Sequence, residues 1–172
     1  MNLHPAPDRK ACRPDLEAMI RQYGDGLLRM CFLYLKDVSL AEDAVQETFA
    51  TAWAKYDSFA GRSSEKTWLT AIAANICRNM LKSAWRRHTT GPEALESLSV
   101  SDPDAPDPTV TRAVLALPPA LREVVALRYY RGLKTGAIAA MLKLPRPTVS
   151  SRLARARKKL RDDLKEWYFD EE

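Results

Sequence analysis

The sequence predicts an all-α protein: two small helical domains joined by an acidic, proline-containing linker, the C-terminal one a helix-turn-helix. Three observations lead there. Apolar residues recur at three-and-four spacing through most of residues 14–87 and again from residue 117 onward, the period of a helix face. Between these stretches, residues 88–111 carry Glu93, Glu96, Asp102, Asp104 and Asp107, no Lys or Arg, and Pro92, Pro103, Pro106 and Pro108. Such a composition makes a linker rather than a core. From Arg112 to Glu166 there are 14 Lys or Arg against 4 Asp or Glu, a net +10 in a chain whose total is only +5. The positive charge that phosphates require is gathered in the last third.

Residues 1–13 read as a loose tail. The first helix follows, with Leu16, Met19, Ile20, Tyr23, Leu27, Met30, Cys31 and Tyr34 as its stripe; Gly24 and Gly26 weaken it locally without breaking the pattern. Ser39 and Glu42 have the spacing of a capping box and predict a second helix to about Tyr56. Its inner stripe is expected to be Leu40, Ala44, Val45, Ala52 and Trp53. Its outer face is expected to carry Asp43, Gln46, Glu47 and an exposed Phe49, either as solvated surface or as a dock for a basic partner helix. Residues 57–64 are a loop by composition. A third helix runs from about Glu65 to Trp85, with Trp68, Leu69, Ile72, Ala73, Ile76, Met80 and Leu81 inward. Lys66, Asn75, Arg78, Asn79 and Lys82 face outward, and the helix ends on Arg86 and Arg87. Residues 14–87 balance 10 cations against 9 anions.

The C-terminal domain is placed at residues 112–167. Pro118 and Pro119 suit a helix start, where a missing N–H costs nothing. That helix carries Leu121, Val124, Val125 and Leu127 and stops at Gly132. A short helix with Ile138, Met141 and Leu142 follows. After the break at residues 143–146, Pro147 opens a long helix with Val149, Leu153, Ala156, Leu160, Leu164 and Trp167 on one face. Its other faces hold Thr148, Ser150, Ser151, Arg152, Arg155, Arg157, Lys158 and Lys159. A short helix, a tight turn and a polar, basic helix make a helix-turn-helix, whose second helix can reach base edges from its N-terminal residues. Residues 168–172 are a short tail, and the aromatics Trp167, Tyr168 and Phe169 either cap the last helix or contact a regulator.

Several function classes are excluded. No apolar run approaches the roughly 20 residues of a membrane span, and the N-terminus has no apolar signal segment. Cys12, Cys31 and Cys77 are widely spaced, as expected of small buried thiols in a reducing cytoplasm. A zinc site needs closer pairs, which His4 and His88 do not supply. No nucleophile–base pair, metal cluster or phosphate loop is visible, so a non-enzymatic cytoplasmic protein without cofactor or metal is expected. A metal-dependent nuclease would have only Asp43 with Glu47 as a close acidic pair.

The motifs in order resemble the extracytoplasmic-function (ECF) group of bacterial sigma factors, the two-domain type with regions two and four. In region two these are Asp43-Ala44-Val45-Gln46-Glu47-Thr48-Phe49, Phe59-Ala60-Gly61, Thr67-Trp68-Leu69 and Ile72-Ala73-Ala74-Asn75. In region four they are Leu117-Pro118, Arg122-Glu123-Val124, Leu127-Arg128-Tyr129, Gly132-Leu133, Ile138-Ala139, Leu142, Thr148-Val149, Arg152-Leu153 and residues 154–160. The match covers about residues 14–165. The resemblance implies a promoter-specificity subunit whose partners are core RNA polymerase, promoter DNA and an anti-sigma factor, often membrane-anchored. It implies that Asp43, Gln46, Glu47 and Phe49 grip the polymerase, that the Phe59 loop and Asn75 take unstacked bases of the minus-ten element, and that Lys66, Arg78, Lys82, Arg86 and Arg87 serve its backbone, with Asn79 on the same minus-ten DNA. Phe59 folded onto Trp68 is the other reading, and the two can both hold in the free protein. Ser150, Ser151, Ala154 and Arg155 fall at positions reading the minus-thirty-five element, with Arg146, Thr148 and Arg152 on phosphate. The acidic linker is expected to thread toward the active-site cleft. Departures bear on promoter sequence more than on fold. Ala137, preceded by Gly136, stands where an acidic residue is usual, Lys143 and Pro147 where glycines are usual, and Ala154 is small. The alternative is a helix-turn-helix regulator that binds operator DNA without polymerase.

Overall fold

The computed structural model describes residues 15–87 and 107–169, with backbone alone for residues 84–87 and 166–169. Cys12, His4, His88 and the linker residues 88–106 lie outside the described residues, as do the side chains of Trp85, Arg86, Arg87 and the aromatics at 167–169. Among the described residues there are seven α-helices and no strand. No described helix is long and apolar enough to cross a membrane.

Helix α1 (Leu16–Leu35) is capped by Asp15, whose carboxylate accepts from the Glu17 N–H at 3.2 Å. It ends where Lys36 turns left-handed at φ 56° and donates its N–H to Phe32 O at 2.8 Å. Asp37 then caps α2 (Val38–Lys55), accepting from Leu40 N–H at 2.9 Å. The expected Ser39–Glu42 capping box therefore does not start this helix. Asp37 satisfies the third helical N–H directly and draws Val38 and Ser39 into the first turn.

The buried stripe of α2 is Ala41, Ala44, Thr48, Phe49 and Ala52, while Leu40, Val45 and Trp53 are half-buried. Phe49 is thus not the exposed aromatic the sequence suggested: it is only 5% exposed. It flanks the alanine stripe at helical spacing, and the gain from removing a whole phenyl ring from water outweighs the pull of its acidic neighbours. Thr48 is buried at no polar cost, its hydroxyl donating to Ala44 O at 2.7 Å. A single 3₁₀ turn (Tyr56–Ser58) leads to the loop, and α3 (Glu65–Arg87) begins with Ser64 Oγ accepting from Thr67 N–H at 3.1 Å. Helix α3 buries Leu69, Thr70, Ala73, Ala74, Ile76 and Cys77. Cys31 and Cys77 are free and buried. Hydrogen bonding with Cys31 and then burial hold the Cys77 thiol well above the ordinary thiol range.

The C-terminal helices begin earlier than the linker composition suggested. Helix α4 (Pro108–Ala116) has Asp107 as its cap, accepting from Thr109 N–H at 2.7 Å, and Pro108 in its first turn. Helix α5 (Pro119–Val125) widens into a π-type turn over Ala126–Tyr130. Arg122 is buried at the α4–α5 corner, donating to Leu117 O at 3.0 Å and Leu115 O at 3.4 Å. Gly132 supplies a positive φ of 68° before α6 (Thr135–Leu142). The turn after α6 is made by Lys143 at φ 55°, and α7 (Arg146–Phe169) follows. Val149, Leu153 and Ala156 are buried, as the helix-turn-helix pattern requires. Helix α1 packs against α5 and the π-type turn, so buried residues of the N- and C-terminal helices form one continuous core.

Candidate nucleic-acid and polymerase interface

The helix-turn-helix presents its polar face outward. Burial of Val149, Leu153 and Ala156 leaves Ser150, Ser151, Ala154 and Arg155 exposed on the other side of the first turns of α7, with Thr148 and Arg152 half-buried beside them. Hydroxyls and a guanidinium there can donate to base edges in a major groove, while flanking cations hold phosphates. Arg146 is exposed, and its guanidinium lies across Gly136: a methyl on that glycine would sit 2.8 Å from Nη2 and 3.1 Å from Cζ. The bare backbone at 136 is what lets this cation rest over the start of α6.

The candidate single-strand surface is built on α3. Asn75, Asn79 and Lys82 are exposed and Arg78 is half-buried, within two turns of one face. Lys66 does not join them. It precedes Asn75 by nine residues, half a turn out of phase at about 100° per residue, and its ammonium lies beside Gly132, 3.9 Å from where a Cβ there would stand. Phe59 is stacked on Trp68, with ring centroids 4.5 Å apart and planes inclined 22°. Tyr56 closes the cluster edge-on to Trp68 at 5.9 Å. Three half-buried rings thus stand beside the loop. They are engaged with one another.

On α2, Asp43, Gln46 and Glu47 are exposed together with Glu42. The acidic face exists as the sequence suggested, but without its aromatic.

Sequence reasoning missed the residues that seat the C-terminal helices on this N-terminal surface. Tyr34 donates its hydroxyl to Glu123 Oε1 at 3.0 Å, and Arg78 Nε stands 3.5 Å from the same oxygen. Burial, and then Glu123, push the Tyr34 phenol far above its ordinary range, so it keeps the proton it donates. Arg131 is 4% exposed, and its Nε donates to Thr70 Oγ1 at 3.0 Å. Burial lowers its pKa, though an arginine stays charged at neutral pH. A methyl on Gly26 would collide with Arg131 Nη1, so the weak position in α1 is the space this side chain occupies. A mid-helix glycine was the one visible signal.

An all-α chain with an outward-facing helix-turn-helix, a basic and amide-bearing helix that also carries part of an aromatic cluster, and an exposed acidic face has the parts of a promoter-recognition protein. Comparison with known proteins narrows the class. The family models described as Sigma-70 region 2 and Sigma-70, region 4 match residues 19–87 and 109–160. The ECF RNA polymerase sigma factor SigW of Bacillus subtilis is 30% identical over 160 residues, 84% of this chain and 86% of that protein. SigG of Mycobacterium tuberculosis is 42% identical over 83 residues, 48% of this chain; the chain matches only 22% of SigG's own length. Among solved structures, the sigma factor RpoE of Bartonella quintana, in complex with the anti-sigma factor NepR, superposes with a TM-score of 0.73 at 26% identity, covering 87% of this chain and 98% of that one. The chain belongs to the ECF group of sigma-70 family sigma factors.

Proposed function

We propose that the chain directs core RNA polymerase to promoters by a two-point grip. Asp43, Gln46 and Glu47 on α2 dock on the polymerase. Asn75, with Arg78, Asn79, Lys82 and the Phe59–Trp68 platform, holds the displaced strand of the minus-ten element. Ser150, Ser151 and Arg155 read the minus-thirty-five element as duplex, with Ala154 against a base edge and Arg146, Thr148 and Arg152 on phosphate. Phe49 leaves the polymerase-contacting set because it is buried. Lys66, Arg86 and Arg87 remain backbone candidates, Lys66 from a different side of α3. The protein acts by binding, with no bond chemistry of its own, and works in the cytoplasm beside the polymerase. Residues 14–87 and 108–167 are the functional halves, and the acidic segment between them threads toward the active-site cleft.

The observation that carries this reading is one chain with two unlike exposed nucleic-acid faces. The α7 face carries donors suited to a groove, and the α3 face carries amides beside aromatic rings, suited to unpaired bases. An operator-binding regulator needs only the first. Run-off transcription with core enzyme on the protein's own promoter tests the reading: initiation at a defined start is expected, and none above core alone overturns it. An anti-sigma partner is proposed on the likeness to the NepR-bound RpoE. Native copurification is expected to yield a small non-polymerase protein, and recovery of polymerase subunits alone would count against it.

A further inference from the structure

We propose that Gly136 is a positioning residue: its bare backbone seats the Arg146 guanidinium, so that the upstream duplex meets a phosphate ligand already in place. The proposal rests on the reading of Arg146 as a phosphate contact given above.

Both ends of the Arg146 side chain are placed by the fold. Its Cα lies between Pro145 and Pro147, whose rings lock φ on either side. The Pro145 carbonyl accepts from Thr148 N–H at 3.1 Å and Val149 N–H at 3.2 Å, closing the first turn of α7 around it. The far end rests on α6. From the point where a Cβ on Gly136 would stand, Nη2 is 2.8 Å away, Cζ 3.1 Å and Nε 3.2 Å. Three guanidinium atoms at nearly one distance mean that the flat face of the group covers the glycine, where any Cβ would displace it. The seat is contact without countercharge. Helix α6 reads TGAIAAML and has no acidic residue. Among the described residues Arg146 has no hydrogen bond or ion pair.

The placement matters because of where Arg146 stands. It is exposed and precedes Ser150 by four residues, so it shares the face of α7 that is proposed to enter the groove. An ordinary surface arginine surrenders rotamer freedom when a phosphate orders it. Arg146 has surrendered part of that freedom on folding, and a weakly hydrated planar cation suits a peptide surface as its resting place. Its N–H donors remain available to phosphate oxygens. A methyl at position 136 lifts the guanidinium off its seat and restores the lost freedom, so the same contact then forms at an entropic cost. Phosphate contacts set how a protein sits on the duplex and carry no sequence of their own. The gain from the seat is therefore the same for every base sequence.

Holoenzymes of core polymerase with the full-length chain, or with its Gly136→Ala, Arg146→Ala and double variants, test this by filter binding over a range of salt. The probes are the promoter duplex of the run-off assay and single-base variants of its minus-thirty-five element. Gly136→Ala is expected to weaken binding about 2- to 10-fold, the ordering of one long side chain, and equally for all sequences. Arg146→Ala is expected to weaken it further and to lower the salt slope by about 1. In the Arg146→Ala background Gly136→Ala should change nothing, a coupling that a merely structural glycine would not show. Alanine favours a helix, so the urea midpoint of Gly136→Ala should not fall. Should that variant misfold, Arg146→Lys carries the test. It is expected to keep the salt slope and lose a similar factor in affinity, because an ammonium has no flat face to lay on Gly136; binding as tight as the parent's would overturn the seat. Equal penalties from Gly136→Ala in both backgrounds, or none in either, also overturn it. An unchanged slope in Arg146→Ala removes Arg146 from phosphate and the seat with it. Arg155→Ala on the same duplexes then separates the causes: a relaxed preference at one base leaves the minus-thirty-five reading standing, whereas an unchanged preference removes it.

Discussion

On α7 the side chains proposed to read DNA stand outward, and among the described residues the buried positions are Val149, Leu153 and Ala156. On the N-terminal helices Asn75, Asn79 and Lys82 are exposed, but other candidate groups are engaged within the protein: Phe59 lies on Trp68, Arg78 is held by Glu123, and Phe49 is sunk in the core. The difference follows from what each face binds. A duplex groove presents fixed donors and acceptors, so a helix that presents polar groups rigidly is ready for it. Unpaired bases are taken by aromatic rings and amides. In water such rings gain by covering one another, so a single-strand surface engages itself until a strand replaces its partners.

The largest expected effect tests which side of this contrast Phe49 belongs to. Phe49→Ala should destabilise the N-terminal helices by about 3–5 kcal/mol, the usual cost of a buried phenyl cavity, read by urea unfolding. An Asp43→Ala, Glu47→Ala double variant should lose polymerase binding with stability within about 0.5 kcal/mol of the parent. If Phe49→Ala left the unfolding midpoint unchanged and weakened polymerase binding alone, Phe49 would belong with the exposed docking face after all.

Next is the outward face. Arg155→Ala should cost about 1–3 kcal/mol in binding of the holoenzyme to upstream duplex, roughly 5- to 150-fold, and relax the preference at one base position. Arg152→Gln should instead weaken all sequences alike and lower the salt slope by about 1. Filter binding against a set of single-base variants at two salt concentrations distinguishes them. Equal discrimination by both variants would mean that Arg155 is another phosphate ligand.

A smaller effect is expected at the self-engaged rings. Phe59→Ala loses one stacked pair, about 0.5–1.5 kcal/mol of stability. Open-complex formation, followed by permanganate reactivity of unpaired thymines, should fall further than that, because the same ring is proposed to serve a base. A fall no larger than the stability loss would assign Phe59 to packing with Trp68 alone.

Much of this was legible in the chain, and the failures have physical causes. The helices α3 and α7 announced themselves because long amphipathic periods persist whatever they pack against. Phe49 misled because its acidic neighbours share only part of its face; a ring at the flank of an alanine stripe can still reach the core. Helix α4 hid in an acidic, proline-containing stretch. Yet Asp107 followed by Pro108 has the form of a helix start, a capping acid before a residue with no N–H to satisfy. The seating of the C-terminal helices was not readable at all. Tyr34 and Glu123 lie 89 residues apart and Thr70 and Arg131 lie 61 apart, and no local pattern pairs residues across such distances. Only Gly26, a helix-weakening residue without a turn to make, hinted that something had to fit against α1.

The smallest expected effect lies in the turn that joins the two halves of the helix-turn-helix. Lys143 closes α6 at φ 55° and ψ 44°, where its Cβ crowds the backbone and a glycine would not. Leu144 N–H still bonds to Ala139 O at 3.0 Å, so the turn is formed in spite of the side chain. Lys143→Gly should therefore raise stability by about 0.5–1 kcal/mol, with the same sign at Lys36, which ends α1 at φ 56°. Urea unfolding of the two single variants measures both gains. The lysines differ in surroundings, since Lys143 also lines the cleft opposite Asn75. A gain at position 36 with a loss at 143 would show that the Lys143 side chain contributes more across the cleft than its strained backbone costs, and it would carry the self-engagement of the N-terminal surface into the turn of the open-faced half.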